Sequence, residues 1–462
     1  MIARRAVIAA LALTPGLAAC AGGSGAPPSI PAAAGTRAGA VRPATTPIQH
    51  VVIMIQENRS FDNFFATFPG ANGTTTGYYL KKVGAKYVRT QTPLTQTTLA
   101  GLDINHGYQP YIGAYDNGGM DGFNLEGING NNPAGLYPYQ YVDPSQIQQY
   151  WTLAQEYALA DNMFQTQGSG SFTAHQDLIA GTTHQVYNNH IGSLIDYPSS
   201  NNWGCNAKTG TVTPMLTKTG QYLQDGGPFP CLTYSTGTMR DLLDAKHVSW
   251  KYYAPPHKPN TVGVLWNAFA AIDAVYNGPE WATNISMPET NILNDVTNSQ
   301  LPAVSWVIPD QVDSDHAHTK TGKYTGPAWV ASVVNAIGTS SYWNSTVIVV
   351  VWDDWGGWYD HVPPAFFDNA GGLGFRVPML FISPYVAPGT ISHTQYEFGS
   401  ILKFVEGTFH LGSLGTTDVR AKSIGDIFHF NQRARHFKVI PSQEGRDYFL
   451  HRPPSYGPVD TE

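Results

Sequence analysis

Two pairs of oxygen-donor residues follow apolar runs in this sequence. One β-branched run leads into Glu57 and Asn58, and a second, far downstream, leads into Asp353 and Asp354. Carboxylate and amide oxygens are ligands for hard or borderline divalent metals. A single acidic pair after a strand often only caps a helix or a turn. Two such pairs in aromatic and glycine-rich surroundings favour a site for one divalent metal ion.

A glycine-rich segment supplies a candidate nucleophile. Residues 168–175 read Gly-Ser-Gly-Ser-Phe-Thr-Ala-His, and a helix is predicted to follow. Ser171 would then lie near a helix N-terminus, where unpaired N–H groups and the helix dipole favour a phosphate or an oxyanion. In the alternative, Ser171 is simply the residue that caps this helix. The segment is not a P-loop, because it lacks the Gly-Lys-Ser/Thr ending.

Three histidines complete the set of candidate residues. His106 lies in Asn-His-Gly, His316 in Asp-Ser-Asp-His, and His361 in Tyr-Asp-His-Val-Pro-Pro. Histidine can exchange a proton near neutral pH, although a lone histidine is more often structural or exposed. Spacing alone does not bring the three together, so both interpretations stay open at this point.

Apolar runs and amphipathic segments must position these residues. Continuous β-branched runs are typical of strands buried on both faces, and the segments between them are typical of helices. The predicted strands are residues 51–56, 303–308, 347–352 and 377–382, and the predicted helices are 150–159, 239–245, 328–337 and 398–409. This alternation predicts an α/β sheet with helices on both faces. Ligands of such sheets bind beyond the carboxyl ends of the strands, where both oxygen-donor pairs are expected.

Composition narrows the classes of function. The 462 residues are 42% hydrophobic, which supplies a sizeable core and excludes a disordered chain. Only 13% are charged, against about 25% in ordinary soluble domains. The net charge of −7 and the absence of a long basic run argue against binding to a nucleic-acid backbone. They also argue against attachment to anionic lipid by charge alone.

The beginning of the chain predicts export. Residues 1–20 contain two arginines, an apolar stretch and then small residues, which is the order of a secretory signal. Residues 17–20, Leu-Ala-Ala-Cys, resemble a bacterial lipobox, so Cys20 is expected to be lipidated and to attach the protein to a membrane. An ordinary signal with an incidental cysteine is the alternative. Residues 21–46 are expected to form a flexible tether, and residues 47–462 a single catalytic domain. The predicted signal implies that the protein is exported to the periplasm or cell envelope.

Export also bears on the remaining cysteines. With Cys20 modified, Cys205 and Cys231 are left as one pair in an oxidising compartment. We therefore expect a disulfide between them, with two free thiols or a metal-binding pair as the alternatives.

The segment Gln-Glu-Asn-Arg-Ser-Phe-Asp-Asn-Phe-Phe at 56–65 resembles the opening signature of the bacterial phosphoesterase family. That family includes acid phosphatases and phospholipases C and is related to the alkaline phosphatase superfamily. The similarity continues through residues 121–123, 171–181, 249–253 and 353–364, and so covers about 47–430. It implies a mixed, mostly parallel central sheet with helices on both faces and loop-rich insertions. It also implies hydrolysis of a phosphate mono- or diester, which includes phospholipids.

The resemblance implies a role for each candidate residue. The ligands of one divalent metal ion correspond to Glu57, Asn58, Asp353 and Asp354. The nucleophile, which would form a phosphoserine, corresponds to Ser171. The histidines that hold phosphoryl oxygens or assist the leaving group correspond to His106, His316 and His361.

Departures from the family pattern leave alternatives. Thr173 stands where proline is common, so Ser169 and Thr173 also qualify as the attacking group. Asp354 replaces a glutamate of many phospholipases, which favours the phosphatase branch.

Other features leave the substrate and the function class open. Aromatic residues of regions 105–150 and 200–235 could form a cation–π cage for a choline head group or simply pack their loops. A sulfate- or phosphonate-ester hydrolase would use the same scaffold, but the Cys/Ser-x-Pro-x-Arg context is absent. A surface lipoprotein that only binds glycans or partners would not need both donor pairs and a nucleophile.

Overall fold

The computed structural model describes residues 46–128, 132–317, 324–365 and 372–456. The predicted signal and tether, including Cys20, lie outside these residues apart from Thr46, so their boundaries stay predictions. The chain from Thr46 to Glu462 forms one compact unit. The buried hydrophobic clusters lie between Ile48 and Phe449, so this unit has its own core. Within the described ranges, no helix combines the length and the hydropathy needed to cross a bilayer.

Eight strands form the central sheet. In chain order the described strands are β1 (His50–Gln56), β2 (Thr76–Val83), β3 (Lys86–Pro93), β4 (Thr95–Thr97), β5 (Gly127–Ile128), β6 (Asn132–Pro133), β7 (Gln140–Val142), β8 (Ala158–Ala160), β9 (His184–Tyr187), β10 (His190–Leu194), β11 (Met215–Thr217), β12 (Tyr222–Leu223), β13 (Trp250–Tyr253), β14 (Ile285–Ser286), β15 (Val304–Val307), β16 (Thr346–Trp352), β17 (Met379–Ile382) and β18 (Thr390–Ser392). The spatial order is β14-β13-β15-β1-β16-β17-β8-β18. Of these, β17 is antiparallel to both of its neighbours and the other strands run parallel to one another. The predicted mixed, mostly parallel sheet is confirmed.

Helices cover both faces of this sheet. The described helices are α1 (Phe61–Phe65), α2 (Tyr108–Tyr115), α3 (Gln148–Glu156), α4 (Ser171–Ala180), α5 (Met239–Ala245), α6 (Val262–Leu265), α7 (Asp273–Tyr276), α8 (Glu280–Thr283), α9 (Asn291–Thr297), α10 (Gly326–Gly338), α11 (Phe398–Thr408), α12 (Thr417–Arg420) and α13 (Arg446–His451). Strand β1 pairs Gln56 with Trp352 and Ile53 with Trp306, so the two tryptophans point to opposite faces. The Trp352 ring lies 4.9 Å from the ring of Tyr150 in α3. The indole N–H of Trp306 donates to the carbonyl of Leu178 in α4, so α3 and α4 lie on opposite faces.

The predicted strands correspond to β15, β1, β16 and β17, and three of the predicted helices correspond to α5, α10 and α11. The prediction of a helix over 150–159 is wrong at its C-terminal end. Helix α3 ends at Glu156, and residues 158–160 form β8 between β17 and β18. These three small or aliphatic side chains are fully buried. Their pairing partners lie more than two hundred residues away, which no local pattern reports.

The segment 200–235, predicted as a loop, is more ordered than expected. It contributes β11 and β12 to a four-stranded antiparallel sheet with β9 and β10. The predicted disulfide between Cys205 and Cys231 is present and spans 26 residues. Backbone hydrogen bonds join Cys205 to Ala270 and Leu232 to Ala271 on either side of the bridge. The disulfide therefore closes a segment that is also tied to the main body.

We expect the double substitution Cys205→Ala/Cys231→Ala to lower the free energy of unfolding by about 3 kcal/mol, because the unfolded chain gains the entropy of an open loop. Guanidinium titration of the wild type and the variant measures the difference. Reductant should destabilise only the wild type, and a reductant effect of equal size on the variant would contradict the assignment to this bridge.

Candidate active site

Glu57 and Asp353 are brought side by side by the two central strands. Strands β1 and β16 pair in parallel up to Gln56 and Trp352, and the N–H of Asp353 donates to the Gln56 carbonyl at 2.9 Å. Each acid is the next residue after its strand, and both are fully buried. The in-register ends of two parallel strands therefore place two carboxylates at one edge of the sheet, as the sequence predicted.

Asn58 turns the chain sharply at this edge. It has a φ of 62°, in the left-handed region that asparagine tolerates better than most residues. Its N–H donates to Asp353 Oδ1 at 3.0 Å. Opposite it stands Gly356, where a Cβ would lie 2.1 Å from the Asn58 carbonyl oxygen. A larger residue than glycine at 356 would push the segments that carry Asn58 and Asp354 apart.

Ser171 is the first residue of α4, and its Oγ donates to Asp354 Oδ2 at 3.2 Å. The N-cap position is Gly170, so the alternative in which Ser171 caps the helix is wrong. A Cβ at Gly170 would lie 1.8 Å from the Tyr197 hydroxyl oxygen. The absence of a side chain at 170 allows the turn into α4 to pass close to Tyr197, with Ser171 against Asp354.

His106 and His316 lie together beside this pair. His106 Nδ1 is 2.7 Å from the Ile104 carbonyl, which only accepts, so Nδ1 carries the proton. His106 Nε2 then accepts from Asn58 Nδ2 at 2.7 Å and lies 3.7 Å from Asp354 Oδ2. His316 donates from Nδ1 to the Ala317 carbonyl at 3.0 Å, and the two imidazole rings are 6.3 Å apart. Two of the three predicted histidines thus share the site.

The third predicted histidine is held elsewhere. His361 Nδ1 lies 2.6 Å from Asp62 Oδ2, and its Nε2 lies 3.3 Å from Asn72 Oδ1. Asp62 belongs to a buried ion cluster with Asp360 and Arg376. The structure therefore assigns His361 to this cluster beside α1 rather than to the hydrogen-bonded group of Ser171 and Asp354.

His175 is a functional candidate to which the sequence analysis gave no role. Its Nε2 lies 3.0 Å from Glu57 Oε1 and 3.7 Å from Asp353 Oδ2. Burial lowers the pKa of His175 to about 4, against the opposing attraction of Asp353, so the ring is neutral near pH 7. The available signal was its spacing: residues 171 and 175 are four apart and share one face of α4.

These side chains suit a divalent metal ion. Glu57, His175 and Asp353 each offer one ligand atom, and the three atoms lie within 4.8 Å of one another. Asn58 Oδ1 is also buried, and no donor in the described part of the chain hydrogen-bonds to it. Buried carboxylates are stable only when cations or hydrogen-bond donors compensate their charge. Asp354 accepts hydrogen bonds from Ser171 Oγ and from the Gly356 N–H. It therefore links the candidate metal ligands to the serine.

Comparison with known proteins assigns the chain to a family. The sequence model of the Phosphoesterase family matches residues 48–412. The chain belongs to the Phosphoesterase family. It is therefore a hydrolase that acts on phosphate esters.

Curated relatives of this phosphoesterase include bacterial and plant proteins. Phospholipase C B of Mycobacterium tuberculosis (strain ATCC 25618 / H37Rv) is 25% identical over 83% of this chain and 77% of the relative. Non-specific phospholipase C3 of Arabidopsis thaliana is 25% identical over 81% of this chain and 72% of the relative. Among solved structures, a protein of the alkaline phosphatase superfamily from Vibrio parahaemolyticus covers 83% of this chain and 73% of its own, with a TM-score of 0.35 and 10% identity.

The His361–Asp62 pair predicts a pH dependence of stability in this phosphoesterase. Burial lowers the pKa of His361, but the hydrogen bond and the charge of Asp62 outweigh it, and the net pKa is raised. A raised pKa means that the pair stabilises the folded state fully below the ordinary histidine value, about 6.5. That stabilisation is lost as the pH rises through the higher folded-state pKa.

We therefore expect His361→Gln to reduce the free energy of unfolding most below about pH 6.5, with the difference from wild type narrowing as the pH increases. Urea titrations at several pH values measure it. The exposed His436 provides the control, since His436→Gln should change stability little throughout. A His361→Gln deficit that grows with pH would contradict the assignment.

Proposed function

We propose that this phosphoesterase is a metal-dependent hydrolase that works through a phosphoserine at Ser171. The observation that carries the proposal is the hydrogen bond from Ser171 Oγ to Asp354 Oδ2, at the N-terminus of α4. The same edge of the sheet holds Glu57 and Asp353, whose oxygens fit a divalent ion. A serine hydroxyl is a weak nucleophile until a base or a metal activates it. Asp354 is placed to act as the base, and a metal ion held by Glu57 and Asp353 would supply the other kind of activation.

The residues suggest an order of events. Ser171 Oγ attacks phosphorus while its proton passes to Asp354 Oδ2, and the bond from phosphorus to the leaving alcohol breaks. The alcohol takes up a proton from solvent. Water then attacks phosphorus, the bond from phosphorus to Ser171 Oγ breaks, phosphate is released, and Asp354 returns its proton to Ser171 Oγ. Unpaired N–H groups at the start of α4 favour the phosphoryl oxygens. The bound metal ion would supply charge neutralisation and lower the pKa of the serine hydroxyl.

The geometry favours Ser171 over the two alternative nucleophiles. Ser169 Oγ accepts a hydrogen bond from the Asp196 N–H at 2.8 Å, which assigns it to the loop before the helix. Thr173 Oγ1 is buried and makes no hydrogen bond in the part of the chain that the structure describes. Of the three, Ser171 is the residue whose hydroxyl contacts Asp354, the proposed proton acceptor.

A cavity beside the site supports a substrate with a cationic group. It has a volume of about 350 Å³ and is lined in part by Asp196, Tyr197, Trp203 and Tyr222. The Tyr197 ring is 6.4 Å from the His106 ring, which connects the cavity to the site. A carboxylate among aromatic rings suits a quaternary ammonium. Together with the phospholipase C names of the relatives, this favours a choline-type phosphodiester over a simple phosphate monoester, despite Asp354 in place of glutamate.

The test compares hydrolysis of p-nitrophenyl phosphate and p-nitrophenyl phosphorylcholine by the wild type, Ser171→Ala, Ser169→Ala and Thr173→Val. We expect Ser171→Ala to lower kcat by roughly 10³-fold or more, because the route through a covalent phosphoserine is lost. The other two substitutions should stay within about tenfold of wild type. Wild-type turnover by Ser171→Ala would exclude the phosphoserine.

The metal requirement is measured in the same assay. EDTA should abolish hydrolysis, and an added divalent ion should restore it, because the buried carboxylates would repel an anionic phosphate ester unless a cation neutralised them. Preference for the choline diester would support the phospholipase C type, and preference for the monoester would support an acid phosphatase. EDTA-resistant turnover would contradict metal dependence.

We also propose that the protein is exported to the cell envelope and anchored through lipidated Cys20. The signal-like order of residues 1–20 and the disulfide between Cys205 and Cys231 support this. Incorporation of labelled palmitate by the wild type but not by Cys20→Ser is the expected result, and equal labelling of both would contradict it.

A further inference from the structure

A β-hairpin projects from the body of this phosphoesterase. Strands β2 and β3 pair antiparallel from Thr76 opposite Pro93 to Val83 opposite Lys86. Gly84 and Ala85 form the two-residue turn, and Gly84 has a φ of 61°, as such turns require. Residues 81–89 are all exposed. We call this outer half of the hairpin the hairpin tip, and its last residue, Arg89, ties it to the body through Asp121.

The hairpin tip combines positive charge with exposed apolar surface. Its nine residues include four cations, Lys81, Lys82, Lys86 and Arg89, in a chain whose net charge is −7. Its apolar side chains are also unusually exposed: Val83 by 54%, Tyr87 by 52% and Val88 by 48%. Cross-strand pairing places Lys82 opposite Tyr87 and Lys81 opposite Val88. Cationic and apolar side chains therefore alternate over both faces of the tip.

The three lysine side chains of the hairpin tip are exposed. Among the described residues, no carboxylate forms an ion pair with the ammonium of Lys81, Lys82 or Lys86. Arg89, by contrast, binds Asp121 at 3.1 Å and covers the Tyr78 ring at 3.4 Å. The positive charge of Arg89, at the inner end of the hairpin tip, is thus neutralised by Asp121, whereas the three lysine ammonium groups face solvent.

The base of the hairpin is firmly attached. Leu80 exchanges two hydrogen bonds with the Asn124 side chain, each of 3.0 Å, and Arg89 also donates to the Gly119 carbonyl. An isolated two-stranded hairpin is marginally stable in water. These side-chain anchors allow the exposed tip to keep its shape without a third strand.

The hairpin is built on the same edge of the sheet as the proposed active site. Gly77 of β2 fits against the rings of Tyr359 and Tyr139, leaving no room for a Cβ. Tyr359 packs on Phe123, with ring centroids 5.0 Å apart, and Phe123 packs on Trp355. Trp355 directly follows Asp354 and donates from its indole N–H to the His106 carbonyl. One aromatic cluster therefore supports both the hairpin and the site.

We propose that the hairpin tip docks this phosphoesterase on an anionic phospholipid surface. Tyrosine and valine side chains at the end of a rigid hairpin can enter the headgroup region, while neighbouring lysines bind lipid phosphates and carboxylates. The net charge of −7 argues against attachment of the whole protein to anionic lipid. Docking, however, depends on the local positive charge of the hairpin tip. The inference extends the proposed function, because it concerns the surface on which the enzyme works and not its chemistry.

The experiment measures sedimentation of the chain from Thr46 to Glu462 with vesicles of phosphatidylglycerol and, separately, of phosphatidylcholine. We expect the wild type to bind the anionic vesicles, and Lys81→Gln/Lys82→Gln/Lys86→Gln to bind them about 100-fold more weakly, since each lysine near the surface contributes about 1 kcal/mol. The matched control replaces three exposed lysines elsewhere: Lys208→Gln/Lys246→Gln/Lys422→Gln. This control should bind like the wild type.

A second variant, Val83→Ser/Tyr87→Ser, tests the apolar contribution and should bind about tenfold more weakly while keeping all the lysines. Both tip variants should hydrolyse a soluble p-nitrophenyl ester like the wild type, which shows that they are folded. Equal binding of anionic vesicles by the wild type and the triple-lysine tip variant would overturn the proposal, as would failure of the wild type to bind. If no chain hydrolyses the soluble ester, the proposed function fails, but vesicle binding still decides the role of the tip.

Discussion

Burial of three carboxylates at the ends of two adjacent strands is the constraint on which the site depends. Removing an ionised carboxylate from water costs several kcal/mol unless donors or cations compensate it. Here, Asp353 accepts a hydrogen bond from the Asn58 N–H. Asp354 accepts hydrogen bonds from the Gly356 N–H and from Ser171 Oγ. Glu57 lies beside the His175 ring, 3.0 Å from Nε2. These partners come from three separate segments, the turn at Asn58, the loop at Gly356 and helix α4, so the site exists only when the whole sheet edge is assembled. A cation bound among these acids would complete the compensation.

The backbone around the site follows from that crowding. Asn58 takes a left-handed conformation, and Gly356 and Gly170 lack side chains where a Cβ would collide with a neighbour. Each feature brings a polar group closer than ordinary packing would allow. The aromatic residues behind them, notably Trp355 and Phe123, fill the space left by the turns and fix the loop that carries Asp354. Local strain and dense packing therefore serve one purpose, which is to hold oxygen donors at short range.

Charge is distributed unevenly over this phosphoesterase. Its average composition is acidic and poor in charged residues, yet buried acids gather at the sheet edge and exposed lysines gather at the hairpin tip. The acids are stabilised by internal donors, whereas the lysines face solvent. A single net charge describes neither region. Binding to a phosphate group or to a lipid surface depends on these local concentrations of charge, because screening removes the influence of distant charges.

The sequence by itself determined the central strands, the two donor pairs that follow them and the glycine-rich entry to the helix that begins at Ser171. Uninterrupted β-branched runs have few alternatives to a buried strand, and residues directly after such strands must lie at the sheet edge. The family resemblance, carried by residues 56–65, was equally local, and the family match confirms it. Tertiary structure decided the rest. Whether His361 faces the serine or Asp62, whether His175 meets Glu57, and whether residues 158–160 join a strand depend on contacts between distant segments. A local pattern reports what a side chain can do, but only packing and strand register decide which partner it meets.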